Sequence, residues 1–146
     1  VSLSRHLMDI WNRSRKGFAL PFLVCTGGEP ALQIDHCLVQ CLRDVGFEIA
    51  IETNGTRHVD PNIHHICVST TTGTKLKQTR GDEIKLVYPQ ESLDPEEFAR
   101  MDFRYFFLQP MDGDNLQENT KKVIQYCLDN PRWRVSLQTH KLLGLQ

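Results

Sequence analysis

No apolar run in this sequence approaches the roughly 20 residues needed to cross a bilayer. The longest candidate, Phe18 to Cys25, is interrupted by Pro21 and reads as a buried strand. The N-terminus shows no signal-peptide pattern either, so the expected compartment is the cytoplasm. Neither sign of charge dominates: 17 Lys and Arg face 18 Asp and Glu, for a net charge of −1. A global basic field for nucleic acid is thereby excluded, and the cluster Arg13-Ser14-Arg15-Lys16 reads as a solvated helix end. Cysteine is sparse and odd in number, five in all, at 25, 37, 41, 67 and 127, with no C-x-x-C. This spacing excludes a disulfide framework. Cys37 and Cys41 lie one helical turn apart and in principle can share a metal, but with Leu38, Leu42 and Val45 on the same stripe they read as packing residues. Internal repeats, linkers and low-complexity segments are also absent. What remains is a single unit spanning residues 1–146, 40% hydrophobic, sufficient for one core yet short of the about 250 residues of a complete (β/α) barrel.

What is present is a recurring pattern in which an apolar run ends in polar or glycine residues. Phe22-Leu23-Val24 leads into Cys25-Thr26-Gly27-Gly28-Glu29-Pro30, and Phe47 to Ile51 leads into Glu52-Thr53-Asn54-Gly55-Thr56. Ile66-Cys67-Val68 leads into Ser69-Thr70-Thr71-Thr72-Gly73, and Ile84 to Tyr88 into Pro89-Gln90. Tyr105 to Leu108 leads into Gln109-Pro110-Met111-Asp112-Gly113-Asp114, and Val135-Ser136-Leu137 into Gln138-Thr139-His140-Lys141. Six strands with polar C-terminal ends predict an α/β fold with a mostly parallel sheet, one edge of which is a shared ligand site. Within the first loop, Gly27 and Gly28 let a ligand approach the backbone, Thr26 and Glu29 place a hydroxyl and a carboxylate at the rim, and Pro30 suits a first helical turn.

Helical periodicity falls between these runs. Leu3, Leu7, Ile10 and Trp11 mark a helix from Leu3 to Arg15, stopped by Gly17. Ala31 to Val45 repeats the pattern up to Gly46. Asp94 and Pro95 open a short helix reaching Met101. Asp114, with Gln117 three residues on, is expected to cap the longest helix, whose Leu116, Val123, Ile124, Cys127 and Leu128 face inward until Pro131. Ser69 to Gly81 is the longest irregular stretch and suits a ligand lid.

The motifs Cys25-Thr-Gly-Gly-Glu-Pro30, Glu52-Thr-Asn-Gly-Thr56, Gly81 to Gln90, Tyr105-Phe-Phe-Leu-Gln-Pro-Met-Asp112 and Asn130 to Lys141 together resemble the radical S-adenosylmethionine enzymes. Among these the chain resembles the 7-carboxy-7-deazaguanine synthase family, from about Gly17 to the last residue. The resemblance implies a partial (β/α) barrel of the radical S-adenosylmethionine type and a carbon–nitrogen lyase. The implied reaction contracts 6-carboxy-5,6,7,8-tetrahydropterin to 7-carboxy-7-deazaguanine with loss of ammonia, on the route to queuosine. Implied cofactors are S-adenosylmethionine, a [4Fe–4S] cluster that reduces it to a 5′-deoxyadenosyl radical, and Mg²⁺. Implied partners are the small-molecule pterin, a flavodoxin or ferredoxin as reductant, and a second copy in a homodimer, without direct contact to nucleic acid or membrane.

Carried over by position, Gly27, Gly28 and Glu29 meet the methionyl part of S-adenosylmethionine, with Glu29 on its amino group. Asn54, Ser69, Thr70, Thr71, Gln109, Pro110, Met111 and Asp112 complete the cofactor site, and Thr26, His140 and the terminal Gln146 face the pterin. The sequence departs from the family in two places. No cysteine precedes Cys25, whereas the family's cluster cysteines lie before its Gly-Gly-Glu-Pro loop. The chain is therefore expected to be the C-terminal two-thirds of the enzyme, without the cluster-binding part, without metal ligands of its own, and inactive alone. Ser69-Thr70-Thr71 stands where the family has Ser-Pro-Lys, so Lys75 or Lys77 is expected to replace the lost cation. Two other readings stay open: a non-catalytic fragment that binds S-adenosylmethionine or pterin, and an unrelated metalloenzyme using His58, His64, His65 and Cys67.

Overall fold

The computed structural model describes residues 2–14 and 19–145; the expected helix stop at Gly17, the end of the basic cluster at Arg15 and Lys16, and Gln146 lie outside them. In chain order the elements are α1 (Leu3–Ser14), β1 (Phe22–Cys25), a 3-10 turn (Pro30–Leu32), α2 (His36–Asp44), β2 (Glu48–Thr53), β3 (His65–Thr70) and β4 (Arg80–Tyr88). There follow α3 (Pro95–Phe98), β5 (Asp102–Pro110), α4 (Leu116–Asp129), β6 (Trp133–Val135) and α5 (Thr139–Leu142). No helix among the described residues is long and apolar enough to cross a membrane.

The six strands form one sheet in the order β1-β2-β3-β4-β5-β6, and every neighbouring pair is parallel. A parallel sheet in sequence order returns every crossover over the same face, because such connections share one hand. One face therefore receives the helices, as in an open segment of a barrel. Register lines show it: Cys25, Ile51 and Ile66 stand abreast, and so do Thr53, Val68, Ile84, Phe106 and Trp133. These lines carry two apolar clusters. Ile49 and Ile51 pack with Val39 and Leu42 of α2 and with Leu7, Met8 and Trp11 of α1. Ile84, Leu86, Phe106 and Leu108 pack with Val123 of α4 and with Trp133, whose ring meets Phe106 edge-on with centroids 5.4 Å apart.

Residues of the other parity occupy the opposite face: Glu52, Cys67, Glu83 and Tyr105 in one line, Ser69, Lys85, Phe107 and Arg134 in the next. Lys85 Nζ lies 3.8 Å from a Glu52 carboxylate oxygen, and the Arg134 guanidinium stacks 4.8 Å from the centre of the Tyr105 ring. This face also leaves Phe22 and Val24 nearly half exposed. The expected buried first strand is thus only half-buried, and only at Leu23 and Cys25 on its covered side, since β1 is the edge strand of the sheet.

Several local expectations shift for identifiable reasons. The stretch Ala31 to Val45 is a 3-10 turn and a separate helix, because the Asp35 carboxylate accepts from Leu38 N at 2.8 Å and restarts the helix there. The apolar stripe of α2 runs through Leu38, Val39 and Leu42, so Cys37 and Cys41 are exposed rather than packed. Asn115, not Asp114, caps α4 and does so without a side-chain hydrogen bond. On α4, Val123 is buried, whereas Leu116, Ile124 and Leu128 are exposed; one residue further along a helix is 100° round it. The final strand is Trp133–Val135, two residues ahead of the expected run, because the large ring of Trp133 fills the core.

β3 reaches Thr70 and β4 begins at Arg80, which confines the irregular stretch to residues 71–79. Neither this crossover nor 54–64 contains a helix. The two are instead stitched together: Lys77 N and Gln78 N donate to Gly55 O at 2.8 and 3.0 Å, and Val59 N donates to the Gln78 side-chain oxygen at 3.2 Å. Gly55, at φ +77°, sits so close to β3 that a Cβ there falls 2.6 Å from Leu76 Cδ2 and 2.8 Å from Val68 Cγ1. Only glycine fits this turn without a shift of its neighbours.

Candidate functional site

Because all strands run the same way, every strand end named above reaches one edge of the sheet. Thr26, Gly27, Gly28 and Glu29 follow β1, Asn54 follows β2, Ser69 to Thr71 end β3, Gln109 to Asp112 end β5, and His140 follows β6 on α5. The topology thus brings these positions to one rim, at the end where parallel α/β folds bind ligands.

Alternation sorts them further. Ser69 and Gln109 belong to the uncovered face, whereas Thr70 is fully buried beneath the covered one and Pro110 is also buried there. Thr70 and Pro110 therefore reach the rim through backbone only. Thr71, Met111 and Asp112 are exposed. Asp112 accepts from Gly113 N at 3.0 Å and from Lys141 Nζ, and the Lys141 hydrogen bond holds its carboxyl below the usual range. That pair ties α5, and with it His140, to the end of β5. A cavity of about 260 Å³ lies here, lined by Gln109, Pro110, Leu116, Thr120, Leu137, Gln138 and Lys141.

Glu29 is the most constrained polar group of the rim. One carboxylate oxygen accepts from Ala31 N at 3.0 Å and from Thr53 Oγ1 at 2.6 Å; the other accepts from Asn54 N at 2.7 Å. Three donors hold the carboxylate in one orientation and join the β1 and β2 loops, leaving acceptor capacity on the second oxygen. Beside it Gly27 and Gly28, at φ +83° and +28°, border open space: a Cβ at either meets nothing within 4 Å. Asn54 closes its own turn, accepting from Thr56 N at 2.9 Å and Thr56 Oγ1 at 2.7 Å. Sequence reasoning passed over Thr53 and Lys141, although both stand inside the quoted motifs; each was hidden because its role is a contact with a carboxylate on another loop.

The cysteines do not converge. Cys25 and Cys67 face opposite sides of the sheet, Cys37 and Cys41 lie on α2, and Cys127 lies on α4. Burial pushes the Cys67 thiol up to about 12, with the Glu83 and Glu52 carboxylates adding to the rise and Lys85 opposing it. Among the described residues no three His, Cys, Asp or Glu side chains gather as a metal site. His64 Nδ1 accepts from Ile49 N at 3.0 Å, and His65 lies 3.3 Å from a Glu83 oxygen; both are engaged at the edge opposite the rim. There a cavity of about 480 Å³ is lined by His58, Lys77, Gln78, Arg80 and Asp102 among others, and Gln78 has spent its amide on Val59 N and Arg80 O. Lys77 therefore belongs to the far edge, and only Lys75 remains in the segment that leaves the rim.

No protein-family model matches the chain. It is 51% identical over 123 residues to "7-carboxy-7-deazaguanine synthase" of Caulobacter vibrioides, an alignment covering 84% of this chain and 59% of that protein. The protein of the same name from Bordetella pertussis is 51% identical over 85% of this chain and 59% of its own length. That of Prochlorococcus marinus is 31% identical over 84% and 67%. Among solved structures, the crystal structure of QueE from Escherichia coli superposes with a TM-score of 0.68 at 28% identity, covering 94% of this chain and 64% of that one. The chain thus spans about three-fifths of the length of the first two relatives.

Proposed function

The chain belongs to the 7-carboxy-7-deazaguanine synthase family, and from that premise we propose that its rim is the S-adenosylmethionine- and pterin-facing part of such an enzyme. The reaction of the whole protein is then the ring contraction of 6-carboxy-5,6,7,8-tetrahydropterin to 7-carboxy-7-deazaguanine with loss of ammonia. The observation that carries this reading is the Glu29 carboxylate, fixed by three donors beside a glycine pair that borders open space. An anionic acceptor of fixed orientation next to exposed backbone suits an α-amino acid: the carboxylate takes the ammonium, and the glycines admit the chain of the ligand.

S-adenosylmethionine supplies the radical chemistry when bound, which no side chain can generate. The residues of this chain bind and orient. Glu29, Gly27 and Gly28 hold the methionyl end; Asn54, Ser69, Thr71, Gln109, Met111 and Asp112, with the backbone of Thr70 and Pro110, border the adenosine. Thr26 and His140 face the pterin, and Lys141 keeps His140 at the rim by holding Asp112. An iron–sulfur cluster does not fit the cysteines described here, which lie on separate elements with a strongly raised thiol at Cys67, and no step is assigned to them. We assign residues 1–146 to one radical S-adenosylmethionine-type unit, place the cluster ligands outside this span, and include a homodimer and a flavodoxin- or ferredoxin-type reductant in the proposal.

The dispersed cysteines favour binding without turnover by this chain alone. Titration calorimetry without iron should show S-adenosylmethionine binding at roughly 0.1 to 1 mM, since the adenosine contacts remain and chelation does not. Gly28→Val should abolish it by filling the open space and straining a positive φ, whereas His64→Ala should leave it unchanged. The reverse pattern would remove the site from this rim.

A further inference from the structure

We infer that Thr53 is a positioning residue, setting the Glu29 carboxylate for the ammonium group of an α-amino acid ligand. Its side chain is only 2% exposed. The hydroxyl has a single proton, which it donates to Glu29 at 2.6 Å, and it accepts in turn from Gly55 N at 3.1 Å. Both hydrogen bonds run to strand ends that the sequence does not place together: Glu29 closes the β1 loop, and Gly55 carries the turn to which Lys77 N and Gln78 N are tied. A buried hydroxyl committed on both sides has no rotational choice, so it hands the orientation of the rigid Asn54-Gly55 turn to the carboxylate. Ala31 N at 3.0 Å on the same oxygen and Asn54 N at 2.7 Å on the other hold the carboxylate from loop backbone; Thr53 adds the one side-chain donor, and the one anchored in buried structure.

This inference rests on the reading that Glu29 takes the ammonium, and the test separates the two. Three probes are titrated into the chain by calorimetry without iron: S-adenosylmethionine, a sulfonium; S-adenosylhomocysteine, its neutral thioether counterpart; and 5′-methylthioadenosine, which shares the nucleoside of both and the thioether of the second but has no α-amino group. The unsubstituted chain should bind the first two more tightly than the third, and Glu29→Gln should erase that preference. Thr53→Val should weaken the two amino-acid-bearing probes about tenfold and change 5′-methylthioadenosine less than about twofold, while Thr53→Ser, which keeps the hydroxyl, restores the preference. Should Thr53→Val retain the full preference, or weaken all three probes alike, Thr53 is merely structural and the inference fails while the Glu29 reading stands. Equal binding of all three by the unsubstituted chain, or an unaffected preference in Glu29→Gln, overturns the Glu29 reading itself, and the role of Thr53 with it. Amide exchange at Gly55 provides a second measurement: it should quicken in Thr53→Val and return in Thr53→Ser, and no change in Thr53→Val would contradict the two-sided hydrogen bond.

Discussion

The two faces of the sheet are built from the same strands yet obey different rules. On the covered face Val68, Ile84, Leu86 and Leu108 are wholly buried, and nearly every neighbour is apolar. On the uncovered face the equivalent positions alternate in chemistry: Glu52, Cys67, Glu83 and Tyr105 across one line, Ser69, Lys85, Phe107 and Arg134 across the next. A fully parallel sheet ordinarily buries both faces. Here one face does the folding and the other keeps charges that a ligand or further chain can meet. The difference puts the apolar core on one side of the sheet and a mixed, partly charged set on the other, with a period of two residues, although Ala50 and Cys67 are buried on that second side too.

The widest separation is expected in thiol chemistry. At pH 8 Cys37 and Cys41, exposed on α2, should be open to alkylation, while Cys67, buried, should react at least about 100-fold more slowly than either, since so few of its thiols are ionised. With burial and two carboxylates holding it up to about 12, its reactivity should rise only at strongly alkaline pH. Mass spectrometry of peptides after brief iodoacetamide exposure measures this, and equal labelling of all three would break the contrast.

Stability follows. Leu108→Ala, on the covered face, should cost about 2 to 5 kcal/mol in urea unfolding, clearly more than Phe107→Ala beside it, half-buried on the other face. Equal losses would mean that both faces carry the core. Gly55→Ala should cost about 1 to 3 kcal/mol, because its methyl group meets Val68 and Leu76 and its φ is positive; the loss should appear as faster amide exchange at Lys77 and Gln78.

The smallest effect concerns Asp112 and Lys141 at the exposed rim. Their hydrogen bond lowers the folded-state pKa of Asp112, so its contribution is present above the ordinary carboxylate value of about 4. It is lost as pH falls through the lower, folded value. The amide shift of Gly113, whose N donates to the same carboxylate at 3.0 Å, should thus show a step with its midpoint below about pH 4, and that step should vanish in Asp112→Asn. High salt should weaken the tether, as for any exposed pair.

Strand order and the common rim were legible because each apolar run ended in glycine or polar residues, and a parallel sheet puts all such ends together. The details that failed have a shared cause. Whether Phe22 and Val24 are buried depends on what lies beside β1, not on their hydrophobicity. Whether Cys37 or Val39 faces inward depends on the phase at which Asp35 restarts α2, a difference of 100° per residue. Ile124 and Leu128 look like core partners of Val123 by composition, but α4 lies against the sheet along Asn119, Val123 and Cys127. Thr53 was invisible as a functional candidate because its partner is 24 residues away.

By itself the sequence determined the class of fold, the order of the six strands and their polar ends, and it singled out Thr26 to Glu29 as candidates, since these follow from local periodicity and turn chemistry. Tertiary structure alone decided that Thr53 fixes Glu29, that Lys141 fixes Asp112, that Lys77 lies at the far edge, and that the cysteines stand apart. Each is a contact between residues distant in the chain, and hydrogen bonds and burial are set by which elements meet rather than by what any one of them contains.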